Sequence, residues 1–138
     1  MIPVDAYMGT GQTILIVDDV RDQRELASSM LIKLGYSAKA VSSGEEAIDY
    51  LKNNSTLLVL LDMIMDPGID GLDTYRQIIK LHPKQKAIIA SGFSETKRVK
   101  EAQKLGAGQY VKKPYTLEKI GIAVKNELAS GEDGQIKG

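Results

Sequence analysis

The sequence predicts an α/β protein: a doubly wound, five-stranded parallel sheet with five helices. Five apolar runs recur along the chain, Thr13–Val17, Ser37–Val41, Leu57–Leu61, Lys86–Ala90 and Gly108–Val111, and the segments between them have helical periodicity. The runs TILIV, LLVLL and KAIIA are continuously apolar rather than alternating, as central parallel strands covered on both faces must be. The second and fifth runs read as edges. Strict alternation of strand and helix requires right-handed crossovers. For five strands the expected order is 2-1-3-4-5, and ligands then bind at the carboxyl ends of the strands, between the first and third.

The helices follow in turn. The first, about Arg21 to Leu34, is expected to bury Leu26, Met30, Leu31 and Leu34 and to stop at Gly35. The second opens on Ser43 and Glu46 in capping-box spacing and offers Ala47, Tyr50 and Leu51. The third, about Gly71 to Leu81, presents Leu72, Tyr75, Ile78 and Ile79 and is stopped by Pro83. The fourth runs from a Ser94 cap through Val99, Ala102 and Leu105, and the fifth from a Thr116 cap through Leu117, Ile120, Val124 and Leu128.

With 138 residues and 43% hydrophobic content the chain fits one domain, placed at residues 12–129. Residues 1–11 read as a disordered lead or tag remnant rather than a secretory signal, and the Gly-rich 130–138 as a flexible tail. Eighteen Lys+Arg balance eighteen Asp+Glu, so the field that draws proteins to nucleic acid or anionic membrane is missing. Cysteine is absent, which excludes disulfides and thiolate chemistry and agrees with a reducing cytoplasm. No apolar run approaches the ~20 residues of a bilayer span.

The strand ends carry the chemistry. Asp18-Asp19 ends the first run, Asp62 the third, Ser91 the fourth and Lys113-Pro114 the fifth. Asp19 or Asp62 alone could cap a helix, and Ser91 could begin a turn. Three carboxylates converging on one switch point are costly unless a cation holds them, so the set reads as a divalent-metal and phosphoryl site suited to Mg²⁺, with Mn²⁺ as its substitute. Asp62 can then attack a phosphoryl group to give an aspartyl phosphate. The Lys113–Pro114 bond is expected to be cis, which aims the lysine inward, whereas Lys112 stays in solvent.

These residues, with the DMIM…P…DG stretch from Asp62 to Gly71, Ser91-Gly92, Gly106-Ala107-Gly108 and Tyr110, resemble the response-regulator receiver domains of two-component signalling, over roughly Gln12 to Ala129. The resemblance implies a flavodoxin-like sheet and a phosphorelay role. Asp62 would accept phosphate from a histidine kinase or histidine phosphotransfer protein. Asp18 and Asp19 would hold Mg²⁺ with Asp62 and the backbone carbonyl of Ile64, and Ser91 and Lys113 would engage the phosphoryl group. Ser91 and Tyr110 would form a switch pair that rearranges the surface of the fourth helix, fifth strand and fifth helix for a downstream protein. Tyr110 could equally be a strand aromatic. The positions that flank the path of water to the phosphoryl group would be Ile64 and Phe93, both apolar, which implies a long-lived phosphoprotein.

One departure is visible: Gly71 follows Asp62 at one residue more than the usual family spacing, and the extra residue is assigned to Asp66. Longer loops of this kind resemble receivers attached to hybrid sensory histidine kinases. A degenerate receiver acting as a phosphorylation-independent interaction module would lack an acid or the lysine. A flavodoxin-type FMN carrier needs free amides where Asp18-Asp19 stands. An aspartyl-phosphate hydrolase needs a second acid where Ile64 stands. The expected molecule is a phosphoacceptor switch that assists its own phosphorylation and dephosphorylation rather than an enzyme, monomeric or weakly dimeric, with no direct contact to nucleic acid. His82, the single histidine, cannot be a kinase histidine, since no dimerisation helix carries it.

Overall fold

In the computed structural model of the chain, residues 8–65, 68–92 and 97–137 are described, the last of these beyond Ala129 by backbone alone. The elements alternate without exception: β1 (Thr13–Val17), α1 (Arg21–Lys33), β2 (Ser37–Val41), α2 (Gly44–Asn53), β3 (Leu58–Asp62), α3 (Gly71–Leu81), β4 (Lys86–Ser91), α4 (Lys97–Lys104), β5 (Tyr110–Lys112) and α5 (Leu117–Lys137). The five strands are parallel in the order β2-β1-β3-β4-β5, as expected for a doubly wound sheet.

The core has two layers, one on each face of the sheet. Leu15, Val17, Val59, Leu61 and Ile89 face α2, α3 and α4, where Leu51, Leu72, Tyr75, Ile78 and Val99 meet them. Ile14, Ile16, Leu58, Leu60, Ile88 and Val111 face α1 and α5, against Leu31, Leu34, Ile120 and Val124. The central strands have no solvent face, which is why their sequences do not alternate. Each fully buried aliphatic side chain contributes about 1.5–3 kcal/mol of transfer free energy.

Several details differ from expectation. Leu26 is exposed and Ala27 takes its place, because the helical period that buries Leu31 and Leu34 passes through residue 27. Leu105, expected on the buried stripe of α4, is also exposed. The α2 capping box is shifted on its return side: Ser43 Oγ accepts from the Glu46 N–H at 3.1 Å, but the Glu46 carboxylate accepts from the N–H and hydroxyl of Ser42. Helix α1 has Val20 as its N-cap, whose side chain makes no cap hydrogen bond. The Ser94 cap lies outside the described residues.

Both ends of the domain are longer than read. The lead is attached from residue 8: the Gly9 and Gly11 N–H groups each donate at 2.6 Å, to the carbonyls of Leu34 and Gly35. Gly9 lies so close on the Tyr36 ring that no side chain fits there. At the other end α5 continues past Ala129 to Lys137 through the stretch expected to be tail. Gly131 and Gly134 lower helix propensity there, but no proline stops the helix.

Gly71 starts α3 against the main chain of the third strand. A Cβ at this position would sit 2.6 Å from the Asp62 carbonyl oxygen and 2.8 Å from Met63 Cα. Both are backbone atoms that cannot step aside. Gly71→Ala is therefore expected to destabilise the protein by roughly 2 kcal/mol, read as a lower urea midpoint with unchanged slope. An unchanged midpoint would mean that the β3–α3 loop gives way freely.

Candidate functional site

Parity along the strands builds the site. Asp62 continues the Leu58–Leu60 side of β3, and Asp18 and Lys113 extend the Ile14–Ile16 and Val111 sides of β1 and β5, all toward α1 and α5. At the carboxyl end of the sheet these side chains meet. The Lys113 Nζ donates to Asp18 Oδ2 at 2.6 Å and to Asp62 Oδ1 at 3.2 Å. The carboxylates of Asp18, Asp19 and Asp62 each offer an oxygen, all within 4.8 Å of one another. The peptide between Lys113 and Pro114 is cis.

Burial sets the electrostatics. The side chains of Asp18 and Asp62 are 2% and 8% exposed, and that of Lys113 14%. Burial first, and then the Asp18 charge, push the Asp62 carboxyl up to about 6 against the pull of Lys113. Burial also works against the Lys113 ammonium, but the hydrogen bond to Asp18 and the charges of Asp62 and Asp18 outweigh it and hold its pKa above the ordinary lysine value. One ammonium thus only partly compensates three carboxylates. A hard, all-oxygen donor set with excess negative charge fits Mg²⁺, which keeps waters and takes phosphate oxygens into its shell.

Ser91, Tyr110 and Ile64 are placed by β4, β5 and the loop after β3. Ser91 ends β4 and is buried, and its carbonyl accepts from the Lys113 N–H at 2.8 Å. Tyr110 opens β5 opposite Ile89, half-buried against the α2–α4 side of the core. Ser91 lies two residues beyond Ile89, so strand alternation places Ser91 and Tyr110 on the same face. Ile64 stands on the rim, 54% exposed. Phe93 and Asp66 lie outside the described residues.

Two contacts at the site were not anticipated. Arg24 Nη1 donates to the Asp18 carbonyl at 2.9 Å, while the Asp18 N–H goes to the Val41 carbonyl and its Oδ1 accepts from the Val20 N–H. The peptide joining the two adjacent acids is thereby fixed. The buried Tyr115 ring lies 6.0 Å from Lys113 Nζ. Burial, followed by the charges of Asp18 and Asp62, keeps its hydroxyl well above the ordinary tyrosine range. An Arg on the first turn of α1 and a Tyr next to the Lys-Pro step are the signals that could have pointed to them.

The fold is that of a doubly wound α/β protein, with three acids that could hold a metal ion and a lysine gathered at the switch point of a 2-1-3-4-5 sheet. The chain belongs to the response regulator receiver domain family, whose model matches residues 14–125, and is thus a receiver domain of two-component signalling. It is 32% identical to the chemotaxis protein CheY of Thermotoga maritima over 80% of this chain and 92% of that protein. It is 34% identical to the autoinducer 1 sensor kinase/phosphatase LuxN of Vibrio harveyi, over 84% of this chain but 13% of that protein. A CheY-like receiver domain from Methanospirillum hungatei superposes with a TM-score of 0.82 at 24% identity, over 91% of this chain and 99% of that one, which speaks to the fold. Among the described residues no helix is long and apolar enough to cross a membrane.

Proposed function

We propose that this receiver accepts a phosphoryl group on Asp62 from a phosphohistidine of a histidine kinase or phosphotransfer protein, in a Mg²⁺-dependent reaction. The observation that carries this reading is the Lys113 ammonium bridging Asp18 and Asp62 inside a cluster of three carboxylates. A pure interaction module has no use for so costly a cluster.

An oxygen of Asp62 bonds to phosphorus as the P–N bond of the donor breaks, and the imidazole leaves with the electron pair and takes up a proton. Phosphoryl transfer asks mainly for positioning and charge stabilisation. Asp18, Asp19 and Asp62, with the Ile64 carbonyl, would hold Mg²⁺, which would supply positive charge to the phosphoryl oxygens. Lys113 gives an ammonium and Ser91 a hydroxyl to those oxygens. Ser91 and Tyr110 then act as the switch pair, altering the α4–β5–α5 surface that a downstream protein reads. In this reading the chain is a phosphoacceptor switch that assists its own phosphorylation and dephosphorylation.

The test is incubation with acetyl phosphate and Mg²⁺ followed by intact-mass measurement. One phosphoryl increment is expected, lost in alkali as acyl phosphates are, and absent when Mg²⁺ is chelated. A mass that never changes removes the reading.

The likeness to LuxN favours one addition. A receiver of this kind can be one segment of a hybrid sensor kinase, and the longer loop at Asp66 agrees with that origin.

Lifetime depends on water. Ile64 can neither accept a hydrogen bond from an attacking water nor orient it. Ile64→Asn supplies an acceptor and is expected to speed dephosphorylation roughly tenfold, the equivalent of ~1.4 kcal/mol in the transition state. The decay of the phosphorylated mass with time measures this, and an unchanged decay would place control of hydrolysis elsewhere.

A further inference from the structure

One buried ionisable group has no part in the chemistry above. Glu127, on the inner face of α5, is 5% exposed. Its Oε1 accepts from the backbone N–H of Gln109 at 3.0 Å, and its carbonyl accepts from Lys86 Nζ at 3.0 Å. The neighbouring loop is built around it. Gly108 lies so close to the Glu127 carboxylate that a Cβ there would overlap it, and the Gly108 carbonyl accepts from Gln103 Nε2 at 2.8 Å. The Gln109 carbonyl takes the Ile89 N–H at 2.9 Å. Burial, and then the charge of Glu127, push the Tyr75 phenol up to about 12.

An aliphatic side chain at this place would bury without a desolvation cost. What the carboxylate adds is a directional bond to one main-chain N–H, that of the residue before Tyr110. We propose that Glu127 is a positioning residue for the switch: its carboxylate, seated over Gly108, ties α5 to the entry of β5 so that a movement of Tyr110 is transmitted to α5. This rests on the reading of Ser91 and Tyr110 as the switch pair.

The full chain, labelled with ¹⁵N, is compared with Glu127→Leu, Glu127→Gln and Gly108→Ala. Amide exchange at Gln109 is expected to accelerate at least about tenfold in Glu127→Leu, and in Gly108→Ala, which crowds the carboxylate away. Glu127→Gln keeps an oxygen acceptor and should restore exchange to within about threefold of the parent. Beryllium fluoride with Mg²⁺, a mimic of the acyl phosphate, is then added. In the parent, resonances of Tyr110 and of α5 should shift together. In Glu127→Leu those of Tyr110 should still shift while those of α5 no longer follow. Unchanged Gln109 exchange in any folded variant other than Glu127→Gln, or an α5 response that persists in Glu127→Leu, overturns the proposal. A parent in which Tyr110 itself does not respond overturns the switch reading beneath it.

Discussion

Asp62→Asn is expected to abolish phosphorylation by acetyl phosphate, with no mass increment at any time, and at the same time to stabilise the metal-free protein near neutral pH. The second effect follows from the site's electrostatics. A carboxyl raised from its ordinary value to about 6 binds its proton more tightly folded than unfolded. Below the unfolded value of about 4 both states are protonated and Asp62 carries no penalty. As pH rises from there through about 6 the folded state must give up a proton it holds more tightly, so stability is lost across that window. The loss approaches roughly 3 kcal/mol. Asn has no charge to lose. In chelator the variant should be the more stable at pH 8, by about that amount, and equal to the parent near pH 4. Mg²⁺ should narrow the gap at pH 8, since it binds the folded parent better than the variant. Urea titrations at the two pH values check this. A variant less stable than the parent at pH 8 would show that Lys113 outweighs burial, and a retained mass increment would move the phosphoacceptor elsewhere.

Lys113→Met removes the ammonium from the centre of the acid cluster. With Asp18 and Asp62 buried and no longer compensated, the metal-free protein is expected to lose roughly 3 kcal/mol at pH 8. At pH 5 the loss should be smaller, because Asp62 is then protonated. Phosphorylation should slow roughly a hundredfold, the scale seen when one donor to a developing charge is removed. Part of the stability should return with Mg²⁺, and the lost rate should not, because the metal cannot stand where the lysine does. The rate of mass gain and the urea midpoint measure the two effects separately. A full rate with the methionine in place would reduce Lys113 to a structural counter-ion.

The fold was legible because its signals are local and repeated. Continuously apolar Ile14–Val17 and Leu58–Leu61 can only be central strands, and Gly35 and Pro83 end helices whatever surrounds them. The acid cluster was legible for a related reason: Asp18 and Asp62 fall at the ends of strands whose adjacency the topology dictates. Boundaries that depend on packing were not. Leu26 and Ala27 are adjacent on the helix, and only the rotation at which α1 packs, with Leu31 and Leu34 inward, decides that the small residue goes inside. Residues 8–11 carry no pattern of their own, and their attachment exists because Tyr36 presents a ring to Gly9.

The amino-acid order by itself therefore determined the sheet order, the helices and the residue types gathered at the switch point, because hydrophobic period and strand-end position are one-dimensional properties. Only the tertiary structure decided how charge is distributed there. The 2.6 Å bond that commits Lys113 to Asp18, the burial that lifts Asp62 and the Arg24 bond that fixes the Asp18 carbonyl depend on elements far apart in the chain. Glu127 makes the point most directly. In sequence it is one more charge on an amphipathic helix, and only its approach to Gly108 and Gln109 puts it inside the protein. Desolvation and hydrogen-bond geometry are properties of three-dimensional neighbours, and no spacing along a chain encodes them.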